Sequence, residues 1–258
     1  MKKKTFFLLI AILIFTLFAF LNKEGSRYIG VNYVVEEHKI SNYRKIIEFY
    51  QRHFNYINLE KKINQYSTNK KAKIINLSSW VYKNIKRVPE NSDVIDNHPW
   101  TIVERKMGKD DQFSDILSVL LVYSNTDSFF YNKISNIWHP ITFFKYESKW
   151  SIVDPYYGVY FLDKNGIFSY LGQDKNDDWI MYHLLMGKVT HDNYNIIFYD
   201  KNFHNFDELI NYYNKILSNL PNNQEIDSTN IYKRGLGSRS YVQKPLYRIY
   251  YEFYKIFN

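Results

Sequence analysis

The chain has 258 residues, 45% hydrophobic and 19% aromatic, with a formal net charge of +8 and no cysteine. That is apolar material for one sizeable core or two small ones, and the missing cysteine excludes disulfides, thiolate metal sites, a lipoprotein anchor and a thiol nucleophile. Some of the positive charge lies at the N-terminus and some in the last segment, where Lys233, Arg234, Arg239, Lys244, Arg248 and Lys255 face only Glu252; such a surface favours anionic lipid or anionic polysaccharide, or is a solvated face.

Lys2, Lys3 and Lys4 precede an uncharged apolar run over residues 5–21. At about 17 residues the run is at the short end of what crosses a bilayer. Ala19-Phe20-Leu21-Asn22 has no small-x-small cleavage pattern, which favours an uncleaved signal-anchor over a cleaved signal peptide. Three lysines before the run, against a mixed Lys23, Glu24 and Arg27 after it, predict residues 1–4 in the cytoplasm and the bulk of the chain outside it. This is a single-pass inner- or plasma-membrane topology, and nucleic acid is not an expected partner.

Residues 22–40 read as a linker with an extended piece over 28–35. Ser41 caps a helix with apolar positions Tyr43, Ile46, Ile47, Tyr50 and Phe54. A second helix over 71–86 places Ile74, Leu77, Val81 and Ile85 on one face, and residues 87–100, with Pro89 and Pro99, read as a loop. The clearest element starts at Asp110 or Asp111: Phe113, Ile116, Leu117, Leu120 and Leu121 form a stripe that predicts a centrally packed helix. The period then changes to short strands over 139–146, 149–154, 157–162 and 167–171, with Asn165-Gly166 as a tight turn. A helix is predicted near 178–186, ended by Gly187, and a strand over 194–199. Asn205 caps a helix carrying Phe206, Leu209, Ile210, Tyr213, Ile216, Leu217 and Leu220, stopped by Pro221. Residues 222–258 read as a mobile polar loop and a basic, tyrosine-rich helix over 246–257. Helices followed by an antiparallel meander indicate an α+β class, with one domain over 41–221 behind the anchor.

Three sequence blocks carry chemistry. Gly108-Lys109-Asp110-Asp111-Gln112 opens the central helix, Trp138-His139-Pro140 starts a strand, and Ser148-Lys149-Trp150 with Asp154-Pro155 brackets the next. In order and spacing, over roughly residues 74–166, they resemble the transglutaminase-like superfamily with its papain-like core. The resemblance implies a central helix packed on an antiparallel sheet. It places Asp110 where the family has its nucleophilic cysteine, with His139 and Asp154 at the other two triad positions. In that family a thiolate at a helix N-terminus attacks an amide carbonyl, and the aspartate orients the histidine. A carboxylate is a far weaker nucleophile toward an amide, so the resemblance carries over the positions and not the activity. Trp100, Gln112, Trp138 and Trp150 are the candidate binding residues of the cleft.

Each residue also has a plainer role. Asp110 or Asp111 can be a helix N-cap, His139 a satisfied polar group, Asp154 a turn partner, and Trp138 and Trp150 core. Pro140 departs from the family pattern and would turn the His139 ring aside. Ser114 lies a turn into the helix, away from a cleft. The other histidines have no metal-ligand spacing, and no cofactor motif is present. The expected function is non-catalytic binding of a peptide, a peptidoglycan stem or an anionic surface polysaccharide. The alternatives are an active envelope hydrolase or transferase using Asp110, His139 and Asp154, and a structural assembly component.

Overall fold

The computed structural model describes residues 2–31, 34–88, 98–134, 137–173, 179–198, 203–228, 241 and 243–249. Its first helix, α1 (Lys2–Asn22), is long and apolar enough to cross a membrane and buries none of its apolar stretch against the protein. Strands β1 (Glu24–Val31) and β2 (Val34–Ser41) then pair antiparallel from Glu24↔Ser41 to Val31↔Val34. The segment read as a linker is therefore a hairpin, in keeping with its β-branched and aromatic residues. Its base is tied to α1. The backbone N–H of Asn42 donates to the Lys23 carbonyl, and Asn42 Nδ2 to the Phe20 carbonyl, both at 3.0 Å.

Helix α2 (Asn42–Asn64) begins as its sequence predicts, with Ser41 Oγ accepting from the Arg44 N–H at 3.3 Å. Helix α3 (Lys70–Asn84) is capped by Asn69 and buries Ile74, Leu77 and Val81. The end of the expected 87–100 loop is instead a short helix, α4 (Pro99–Arg105). Pro99 sits in its first turn, where a missing N–H costs nothing, and His98 Nδ1 accepts from the Trp100 N–H. Residues 89–97 of that loop lie outside the described residues. Two short strands, β3 (Lys86–Arg87) and β4 (Met107–Gly108), pair in parallel and fix the approach to α5 (Asp110–Tyr123). Every residue of α5 from Gln112 to Tyr123 is buried. Its apolar stripe is joined by the small side chains of Ser114 and Ser118, as expected of a helix enclosed on all sides.

Six strands follow in an antiparallel meander whose spatial order matches chain order: β5 (Ser128–Ile134), β6 (Ile137–Tyr146), β7 (Lys149–Asp154), β8 (Val159–Leu162), β9 (Ile180–His183) and β10 (Gly187–Lys188). The predicted helix over 178–186 is thus a strand and a turn. Ile180 to His183 pair with β8, and Gly187 (φ 75°) makes a hairpin turn rather than a helix cap. The predicted strand at 194–199 is a short helix, α6 (Tyr194–Phe198). Its buried residues Tyr194, Ile197 and Phe198 follow the i, i+3, i+4 spacing of a helix. The predicted 167–171 strand makes only one bridge, Leu162↔Phe168. Helix α7 (Phe206–Ser218), capped by Asn205, follows, then α8 (Asn223–Ser228). Residues 229–240 of the expected mobile loop, and 250–258 of the expected last helix, lie outside the described residues.

The sheet separates two cores. Helix α5, with α3 and α4 packed on it, covers one face over Phe144 and Val153; α7 covers the other over Phe143, Trp150 and Ile152. The switch between neighbours Phe143 and Phe144, and between Ile152 and Val153, is the side-to-side alternation of a strand with both faces covered. The described fold is therefore α+β, with helices on both faces of an antiparallel sheet.

Candidate functional site

His139 lies near the start of β6 and Asp154 ends β7. Strand alternation sends His139 to the same face as Ile141 and Phe143, and Asp154 to the face of Trp150 and Ile152. Both side chains therefore point toward α7. The Thr142↔Val153 pairing sets the two strand ends side by side, and His139 Nε2 meets Asp154 Oδ2 at 2.8 Å. Both residues are deeply buried, at 5% and 1% exposure. Pro140 does not turn the ring away from the aspartate.

The carboxylate is saturated. Oδ2 also accepts from the Tyr213 hydroxyl at 2.7 Å, and Oδ1 accepts from the backbone N–H groups of Tyr156 (3.0 Å) and Tyr157 (2.9 Å). Burial alone would push the Asp154 carboxyl up. The charge of His139 and these hydrogen bonds outweigh it and hold the group below the usual carboxylate range. A carboxylate only accepts, so Nε2 carries a proton toward it, and Nδ1 is the ring's other hydrogen-bonding atom. That nitrogen is taken by the Tyr212 hydroxyl at 2.6 Å. The ring is boxed by aromatic groups: Tyr157 lies nearly parallel to it at 5.8 Å, and Tyr212 and Tyr213 stand edge-on at 5.2 Å and 6.1 Å. Arg87 lies over the rings of Tyr156 and Tyr157.

Asp110 is the first residue of α5, on the opposite sheet face but at the same end, where Phe113 packs edge-on against Tyr156. Its Oδ1 accepts from the Asp111 N–H at 2.8 Å, and its side chain makes no hydrogen bond to His139. The N-cap is Lys109 rather than either aspartate, because Gln112 Oε1 reaches back to the Lys109 N–H at 3.0 Å. Both aspartates still sit in the first turn, where the helix dipole favours negative charge. Burial, and then the charge of Asp110, raise the Asp111 carboxyl. The charge of Asp110 reaches the site indirectly. Burial first, then Asp154 and other neighbours including Asp110, raise the Tyr157 phenol to about 12 and the Tyr212 phenol further.

The four aromatic and amide candidates do not gather around His139. Trp150 is fully buried in the α7-side core against Phe129, because its strand parity points it inward. Gln112 is buried at the α5 terminus, bonded to Lys109 and to Arg105 at 2.8 Å. Trp100 packs edge-on against Tyr56 and donates to Glu104 at 2.7 Å. Trp138 is 62% exposed and, next to His139 on its strand, points to the other face. The residues that do surround the imidazole, Tyr157, Tyr212 and Tyr213, are not among the sequence candidates. Tyr213 was visible only as part of the α7 apolar stripe. Tyr212 falls beside that stripe, and the adjacent pair of tyrosines was its one signal. Among the described residues no group of three His, Asp or Glu side chains is placed to hold a metal ion.

Chemically, this is a base and its orienting carboxylate, with the outer ring nitrogen closed by a neutral phenol. The pair could polarise a hydroxyl. However, the hydroxyl present belongs to a tyrosine whose ionisation is suppressed by burial and by two nearby carboxylates.

No model of a known protein family matches the chain, and no curated protein does. Among solved structures it is similar to a "putative cysteine protease" from Cytophaga hutchinsonii, with 16% identity and a TM-score of 0.35, over 43% of this chain and 42% of that one. The chain thus matches less than half the length of that protein.

Proposed function

We propose that the chain is a single-pass membrane protein of the cell envelope, anchored by α1 with residues 1–4 in the cytoplasm. In this reading its remainder is a transglutaminase-like, papain-like pseudoenzyme that binds a peptide or surface glycan without cleaving it. The family assignment is supported by the order of the Gly108 to Gln112, Trp138 to Pro140 and Lys149 to Pro155 blocks, and by the His139–Asp154 contact between adjacent strands. The observation that carries the non-catalytic reading is that both His139 ring nitrogens are engaged, by Asp154 and by Tyr212. A general base needs one nitrogen facing its nucleophile, and the position expected to supply it holds Asp110, bonded instead to the Asp111 N–H. For the same reason a joint catalytic role of Asp110, His139 and Asp154 is the weaker reading.

The full chain in mild detergent should not hydrolyse or transamidate peptide amides, esters or glycans above the buffer rate, and His139→Ala should leave that rate unchanged. It should bind one of a muropeptide, an alanine-rich peptide or an acidic polysaccharide by calorimetry. Trp138→Ala, removing the one exposed aromatic candidate, should weaken that binding about tenfold. Turnover that disappears in Tyr212→Phe or His139→Ala would mean a working site built on the phenol, and binding to none of the three would remove the ligand assignment.

A further inference from the structure

Helix α2 presents an apolar stripe that nothing in the described structure covers. Tyr43, Ile46, Ile47, Tyr50 and Phe54 recur at helical spacing along one face, and each is between 37% and 57% exposed. Leu246 and Ile249 of the C-terminal segment add further exposed apolar surface, at 81% and 51%. Contiguous apolar surface of this kind marks an interaction face rather than the ordinary scatter of exposed side chains. Beside the stripe lies a cavity of about 570 Å³, where β1, α2 and the C-terminal segment meet; Ile46 and Tyr50 belong to both. Among the described residues it is lined by four cations, Arg27, Lys45, Arg52 and Arg248, and one carboxylate, Glu48.

That single carboxylate is heavily shared. Glu48 pairs with Arg27, with Arg44 at 3.2 Å and with Arg52 at 3.9 Å. Arg52 Nε is buried without a hydrogen-bond partner among the described residues. Burial, with the charge of Arg27 added, disfavours the Arg52 cation. The cluster therefore gains from a further anion. Its position says which anion. The start of α2 is hydrogen-bonded to the end of α1 through Asn42, so cavity and stripe begin where the apolar helix ends. An apolar lining with a cationic rim at that level fits a lipid better than a soluble anion.

We propose that α2 lies along the surface of the bilayer crossed by α1, its stripe at the boundary of headgroups and acyl chains, and that the adjoining cavity holds the phosphate of an anionic phospholipid. This rests on the reading of α1 as a membrane anchor.

The chain has no cysteine, so one introduced cysteine carries one nitroxide. In vesicles of phosphatidylcholine with phosphatidylglycerol, labels in Ile12→Cys and Ile47→Cys should be more accessible to oxygen than to a nickel chelate, and a label in Asn55→Cys, exposed on the flank of α2 away from the stripe, the reverse. Water access at 47 with position 12 in lipid overturns this proposal alone, and water access at 12 removes the anchor and this proposal with it. A label at 47 shielded from both reagents means a protein partner or second copy, and overturns it. In a neutral detergent, the full chain should bind dihexanoyl-phosphatidylglycerol roughly tenfold more tightly than dihexanoyl-phosphatidylcholine. Lys45 makes no ion pair among the described residues, so Lys45→Gln should preserve the fold while reducing that preference about fivefold. Equal binding of the two lipids, or inorganic phosphate binding as tightly as the anionic lipid, would contradict the assignment.

Discussion

Replacing Asp154 with alanine should destabilise the folded chain by about 3–5 kcal/mol, measured by denaturant titration in detergent. The size follows from what is left behind. The carboxylate accepts from His139 Nε2, the Tyr213 hydroxyl and two backbone N–H groups, in a site where its own exposure is 1%. Alanine leaves His139 Nε2 and the Tyr213 hydroxyl buried without that acceptor and two part-buried N–H groups unpaired, and an orphaned buried group costs about 1–3 kcal/mol before relaxation. Acid should act on the same group. The folded-state carboxyl is held below its ordinary range, so its contribution is complete above the unfolded-state value of about 3.9 and is lost as pH falls through the lower folded-state value. Asp154→Asn, which cannot ionise, should be less stable than wild type near neutrality and should show a shallower loss below about pH 4. Equal acid sensitivity in the two proteins would show that other carboxylates govern that limb.

Gly158→Ala should cost about 2–4 kcal/mol, combining backbone strain with overpacking. Gly158 has φ 71°, in the left-handed region, and a Cβ there would lie 2.8 Å from Tyr82 Cε2 and 2.9 Å from His183 Nε2. Those rings already pack edge-on at 5.0 Å and have little room to give. The Gly158 carbonyl accepts from the Leu184 N–H at 2.8 Å, so the turn cannot shift without loosening the β8–β9 edge. Gly166→Ala is the control. It too has positive φ, at 75°, but nothing lies within 4 Å of its Cβ position, so the expected cost is about 1 kcal/mol. Similar losses in both proteins would show that backbone strain, not the closeness of Tyr82 and His183, sets the cost at Gly158. Because Gly158 follows Tyr157, whose ring stacks on His139, the larger effect should extend to the histidine.

The parts of the fold legible in the sequence were those with long, regular patterning. The α5 stripe predicted the enclosed central helix, Ser41 and Asn205 marked the helix starts, and β6 and β7 followed their alternating runs. The errors fell where a short apolar stretch fits either period. Trp179 to Met186 has bulky residues close enough to read as a helix, yet its place is decided by the open edge of β8. Tyr194 to Phe198 is too short for its spacing to decide alone. In the site, sequence order brought His139 and Asp154 together, but spacing along the chain does not say toward which sheet face a strand residue points. That single bit of parity turns the pair toward α7, supplies Tyr212 and Tyr213 as neighbours, and sends Trp138 to the other face, while Trp150, on the pair's own face, is taken up by the core against Phe129.

Histidine-selective 15N NMR of the full chain, recorded for wild type and Tyr212→Phe, bears most directly on the closed imidazole. Nε2 of His139 should carry a proton, held toward Asp154. Removing the Tyr212 hydroxyl should shift the Nδ1 resonance strongly while leaving Nε2, still bonded to Asp154, nearly unchanged. An Nδ1 resonance indifferent to the substitution would show that this nitrogen is open to a reacting group, and the site would then have to be read as that of an enzyme.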